Sequence, residues 1–200
     1  MRERLLGQRV ICRVIVVSLA AVLLPVTGYA HPGHETAAGF FAGFLHPWTG
    51  LDHVAAMLAV GIWATLMRNG SIPAFLCATV VGIAAGTLVS AYADILTVAE
   101  QITVMSVIVI GVCVTMGGQA RATLAAMLVA VLCFFHGYVH ALETHSQFSQ
   151  LAFSGGFLIS MLSLQLLGVV IAASLSRRTT MVRGTGACCV AVGLALLLTG

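Results

Sequence analysis

Six apolar stretches, each near the length that crosses a bilayer and each closed by a short polar break, constrain this chain more than any other feature. A membrane helix needs about 20 apolar residues, and such stretches cover residues 47–67, 72–92, 96–116, 122–142, 151–175 and 184–199. The breaks fall at Arg68-Asn69-Gly70, around Asp94, at Gly117-Gly118-Gln119, across residues 144–150 and across residues 177–183. The last stretch is short, and the first can begin earlier, because residues 37–45 are also apolar. Of the 200 residues, 60% are hydrophobic and 8% charged, whereas a soluble domain carries about a quarter charged. The expected fold is therefore all-α, a polytopic membrane bundle of six transmembrane helices, with lipid as solvent for most of its surface.

Ahead of these spans the chain reads as an address. Arg2, Arg4, Arg9 and Arg13 stand against Glu3 alone, an apolar run follows over residues 14–24, and Gly28 and Ala30 supply small residues before His31. That pattern describes a secretory signal peptide over residues 1–30, cleaved after Ala30. Residues 31–200 then form a single transmembrane domain. An uncleaved first helix is the other reading, and both leave residue 31 outside the cytoplasm.

From that starting point six spans place the breaks alternately inside and outside. Arg68, Arg121, Arg177, Arg178 and Arg183 all fall on the cytoplasmic side, as the positive-inside rule requires. Glu35, Asp52, Asp94, Glu100 and Glu143 all fall in the outer half. These five positive and five negative charges cancel, so the formal net charge of +3 belongs to the signal peptide. His31, His34, His46, His53, His136, His140 and His145 share the outer half with the acids. The expected location is a bacterial inner membrane, with the mature N-terminus periplasmic.

Several chemistries are absent. The chain has no lysine, which removes a phosphate-binding P-loop and any Schiff base, and no G-x-S-x-G elbow occurs. A neutral mature chain offers nothing to nucleic acid, and nothing in it implies an ATPase partner. Cys12, Cys77, Cys113, Cys133, Cys188 and Cys189 lie in apolar runs without a C-x-x-C pair, so they read as small packing residues. Gly39-x-x-x-Gly43 and Gly82-x-x-x-Gly86 permit close helix contact.

Two constellations carry chemistry. The first is His46-Pro47-Trp48-Thr49-Gly50-Leu51-Asp52-His53. Pro47 lacks an N–H and Gly50 loosens the backbone, so this is a helix start or a broken helix. Two imidazoles and a carboxylate suit a borderline divalent metal such as nickel, cobalt or zinc. Asp52 is either a direct ligand or the group that orients His53; the plainer alternative has these residues capping a helix at the interface. The second is Phe135-His136-Gly137-Tyr138-Val139-His140-Ala141-Leu142-Glu143. At 100° per residue, His136, His140 and Glu143 lie within about 40° of one another. They form a chelating face, or else hydrogen-bond neighbouring helices. Glu100 enters the third span from outside, as a further ligand, a proton-coupled group or a residue wetted by headgroups. His31 and His34 read as a terminus without a role, and His145 as a loop residue.

On His46-Pro47-x-x-Gly50-x-Asp52-His53 and Phe135-His136-Gly137-x-x-His140-Ala141-x-Glu143 the chain resembles the HupE/UreJ family of nickel and cobalt permeases. The likeness extends over the signal peptide, the six spans and the apolar span after Glu100. It implies metal uptake in service of nickel or cobalt enzymes such as hydrogenase or urease, with His46, Asp52, His53, His136, His140 and Glu143 as metal residues and Glu100 beside them. Gln165 departs from the family, whose members often have a histidine there, and this argues against a ligand in the fifth span. The expected function is a secondary permease or channel that passes Ni²⁺ or Co²⁺ inward, with no permanently bound cofactor. The rivals are an intramembrane zinc metallohydrolase and a non-transporting metal-binding accessory protein.

Overall fold

The computed structural model describes residues 35–67, 71–142, 147–175 and 179–199. The signal-peptide segment, His31, His34, Glu143, His145, Arg68, Arg177 and Arg178 lie outside the described residues. Within them every element is a helix: α1 (Glu35–Thr49), α2 (Leu51–Leu66), α3 (Ser71–Val89), α4 (Leu96–Met116), α5 (Ala122–Ala141), α6 (Gln147–Leu175) and α7 (Thr179–Thr199). Helices α3 to α7 are each long and apolar enough to cross a membrane. The chain is a multi-pass membrane protein.

The first span differs from the expected single stretch over residues 47–67. Helices α1 and α2 are bent by 79° at one residue, Gly50, and together make the sixth candidate span. Gly50 is extended, with φ −96° and ψ 119°, so the helical hydrogen-bond ladder stops there and restarts at Leu51. Pro47 lies inside the last turn of α1, where it withholds an N–H from the ladder and weakens the turn before the break. The Thr49 hydroxyl donates to the His46 carbonyl at 2.8 Å, which supplies a partner at the helix end. The other five spans fall within a few residues of their expected bounds. The last is longer than expected, because α7 continues back through Arg183 to Thr179. The Arg183 guanidinium donates from Nε to the Thr115 carbonyl at 2.6 Å, meeting the C-terminal end of α4, which closes at Gly117 with φ +80°.

Helix α2 is the centre of the bundle. Ala56, Met57, Ala59, Val60, Ile62, Trp63 and Ala64 are all buried, so it has no lipid-facing side over most of its length. The surrounding helices turn Val81, Leu88, Met105, Met127, Leu166 and Leu198 outward, as a bundle solvated by acyl chains does. Glycines set how closely the helices approach. A Cβ added at Gly86 would lie 2.0 Å from the Phe134 carbonyl oxygen, and one at Gly43 2.0 Å from that of Phe153. The first contact joins α3 to α5 and the second α1 to α6, the small-residue packing that membrane helices use in place of a hydrophobic driving force.

Candidate metal site

The histidines of the two constellations meet although they come from three helices. His46 lies in the last turn of α1, His53 in the first turn of α2, and His140 in the last turn of α5. One ligand nitrogen from each lies within 4.8 Å of the other two. The His46 ring centre is 4.6 Å from that of His140 and 5.2 Å from that of His53. The break at Gly50 makes this possible. On one straight helix, residues 46 and 53 would stand about 10 Å apart along the axis, and the 79° bend folds the first back over the second.

The broken helix also places Asp52. Its carboxylate Oδ1 accepts from the Nδ1–H of His53 at 2.8 Å, which fixes the tautomer and leaves the His53 Nε2 lone pair facing inward. That nitrogen is 2.7 Å from Nε2 of His140, so the His140 N–H donates to it. Adjacent ligands about 2.1 Å from one metal ion are about 3 Å apart, so this nitrogen pair has to open only slightly to hold an ion between its members. Gly50 abuts the pair: a Cβ there would come 2.6 Å from His53 Nδ1 and 2.7 Å from Asp52 Oδ1. Asp52 Oδ1 is thus in place to orient His53.

His136 is one turn deeper on α5, 1% exposed, with its ring centre 5.2 Å from that of His53. Its Nε2 is 3.0 Å from the Ser106 hydroxyl oxygen, and that hydroxyl donates its one proton to the Thr103 carbonyl at 2.6 Å. His136 must then donate from Nε2, which leaves Nδ1 bearing the lone pair. Nδ1 is buried with no hydrogen-bond partner among the described residues. A neutral imidazole with a free nitrogen is thus held at membrane depth, where an unpaired polar group costs several kcal/mol, about 2–7.

Glu100 is exposed on α4 and is not part of the histidine group. Glu143 lies outside the described residues. Sequence reasoning missed Phe157 of α6, whose ring packs against those of His46, His53 and His140 with centres 6.1, 5.6 and 5.0 Å apart. It walls the three imidazoles on one side and excludes water there. No spacing rule connects residue 157 to residues 46, 53 and 140. Only the α1–α6 and α2–α6 packing does. Three imidazoles with a carboxylate behind one of them form a donor set for borderline divalent ions, brought together by the packing of α1, α2 and α5.

A family model described as HupE / UreJ protein matches residues 19–196. Protein HupE of Rhizobium leguminosarum bv. viciae is 32% identical over 159 residues, which cover 80% of this chain and 83% of that protein. No solved structure matches the chain.

Proposed function

The chain belongs to the HupE / UreJ family, and from that premise we propose that it carries Ni²⁺ or Co²⁺ inward across a bacterial inner membrane. The observation that supports this most is the convergence of His46, His53 and His140 at the ends of three helices. In this reading the first thirty residues are a cleaved signal, the mature N-terminus is periplasmic, and the histidines face the periplasm. A hydrated ion exchanges its water for imidazole nitrogens one at a time. Asp52 raises the basicity of His53, and His136 offers the next lone pair one turn further in. Glu143, two residues past α5 in the sequence, and Glu100, exposed on α4, would attract the cation to the mouth.

An inside-negative potential drives each elementary charge with about 2.3 kcal/mol per 100 mV, so a divalent ion gains about 4.6 kcal/mol. That corresponds to more than a thousandfold in concentration, so the proposed path needs no ATP. A hydrolase would need a bound water and a general base beside the metal; the Asp52 Oδ1 that could serve is engaged with His53.

The test is uptake of Ni²⁺ and Co²⁺ by the purified protein in sealed vesicles under an imposed potential. Wild type should accumulate at least one of the two ions, and His53→Ala or His140→Ala should abolish accumulation at an unchanged level of membrane protein. Wild-type uptake in either variant would count against the reading, and loss of the protein itself would return both residues to a packing role.

A further inference from the structure

Deeper in the bundle lies a second polar cluster that the histidine site does not use. Thr79 on α3, Cys133 on α5 and Gln165 on α6 meet there, all of them buried to 1% exposure or less. Thr79 Oγ1 is 2.9 Å from the Gln165 amide, 3.1 Å from the Phe75 carbonyl and 3.8 Å from Cys133 Sγ. As placed, Gln165 Oε1 faces Thr79 and Nε2 is buried with no partner among the described residues.

The Thr79 hydroxyl carries one proton and two lone pairs. The Phe75 carbonyl can only accept, so the hydroxyl donates there, the back-bond to the preceding turn that threonine makes in membrane helices. Its lone pairs then accept the Cys133 S–H and an amide N–H of Gln165. An amide's two orientations differ by a half-turn and are assigned by the network around them. The orientation with nitrogen toward Thr79 serves all three contacts with the one proton available, and the reverse leaves one contact without a proton. Turned that way, the amide leaves Oε1 unpartnered, a carbonyl oxygen with both lone pairs unused.

Its depth follows from the helices. On α5, Cys133 lies one turn below His136, and His136 one turn below His140, so the three share one line down the helix. On α6, Gln165 is eight residues beyond Phe157, about 12 Å along the axis. Its backbone carbonyl abuts Gly61 of α2, eight residues beyond His53. The cluster is therefore about two turns inward of the histidines on both helices.

We propose that Gln165 is a second ion station, its amide oxygen taking the divalent cation after His136, with Thr79 holding the amide in place and the Cys133 sulfur beside it. This rests on the transport reading above, and it replaces the expectation that Gln165 leaves the fifth span without a ligand. A neutral amide oxygen holds such an ion more weakly than three imidazoles do. Conduction needs that sequence, since a site must bind well enough to admit an ion and loosely enough to release it.

The experiment measures Ni²⁺ uptake in sealed vesicles, and Ni²⁺ affinity at equilibrium in detergent, for wild type and for Gln165→Leu, Gln165→Met and Gln165→Glu. In the Leu and Met variants uptake should fall at least tenfold while the affinity of the outer histidine site changes less than twofold. Gln165→Glu, which returns an oxygen to the same place, should recover uptake to within about threefold of wild type. If the Leu variant does not accumulate in the membrane, the Met variant, matched to glutamine in length, decides by the same criteria. A buried water serving Gln165 alone would leave uptake within twofold of wild type in a folded Leu or Met variant, and that result overturns the proposal. Joint loss of uptake and outer-site affinity overturns it as well, because Gln165 would then only support the histidines. Absence of uptake by wild type, with binding intact, would instead sink the transport reading.

Discussion

His53 is the residue on which the site turns. Its Nδ1 is held by Asp52 and its Nε2 points at His140, so its two nitrogens join the motif around the α1–α2 break to the motif on α5. Both motifs were legible as candidate ligand sets because each is local: a helix break with histidines on both sides, and an i, i+4 pair on one face. That their histidines converge was not, since residues 53 and 140 are 87 positions apart. A shared centre predicts non-additive losses. His46→Ala and His140→Ala should each weaken Ni²⁺ binding by more than about tenfold, since even groups that only orient ligands contribute that much. The double variant should resemble either single. Calorimetric titration of the four proteins at pH 7.5 decides, and clean additivity would replace one centre with two independent ones.

Among the elements, α3 and α5 show how glycine fixes the geometry of the centre. Gly82 and Gly86 on α3 and Gly137 on α5 bring the two backbones together beside His136 and His140. The Cβ atoms they lack would fall 2.4, 2.0 and 2.3 Å from facing carbonyl oxygens. Gly86→Val should therefore force the pair apart and destabilise the protein by about 1–3 kcal/mol, the range for overpacking a close contact. The outer histidine site should lose affinity with it. Gly155 on α6 is the control, because nothing lies within 4 Å of a Cβ built there. Gly155→Ala should keep wild-type binding and melt no lower, since alanine is the better helix former. Thermal unfolding in detergent reads both, and an unperturbed Gly86→Val protein would show that this contact is not tight.

At the scale of the whole molecule, the described arginines and histidines occupy opposite ends of the bundle. Arg121 precedes α5 and His140 closes it, about 28 Å away along the helix, while Arg183 meets the end of α4 beside Gly117. Asp94 lies at the other end, in the turn that the buried Tyr138 hydroxyl fastens by donating to the Ala93 carbonyl and accepting from the Ile95 N–H at 3.0 Å. The proposed orientation puts Asp94 outside and Gln119 inside. In a background with the native cysteines replaced, Asp94→Cys should react with an impermeant thiol reagent added to intact cells. Gln119→Cys should react only after permeabilisation. The reverse pattern would invert the orientation and turn the histidine site toward the cytoplasm.

Number of spans, partition of charge and the two candidate ligand motifs follow from the amino-acid sequence alone, because each depends on residues near one another in the chain. Twenty apolar residues must be helical in lipid wherever they lie, since the backbone has no water to bond. Arginine marks a side of the membrane without help from its neighbours. Packing decided the rest. The residues around Pro47 and Gly50 allowed a helix start or a broken helix, and the break was settled by α6, against which α1 folds through Gly43 and Gly156. The wall at Phe157 and the orphaned lone pair of His136 exist only once α1, α2, α4, α5 and α6 are in contact. A hydroxyl's single proton, spent on a carbonyl of its own helix, then determines what the neighbouring helix has left to offer an ion.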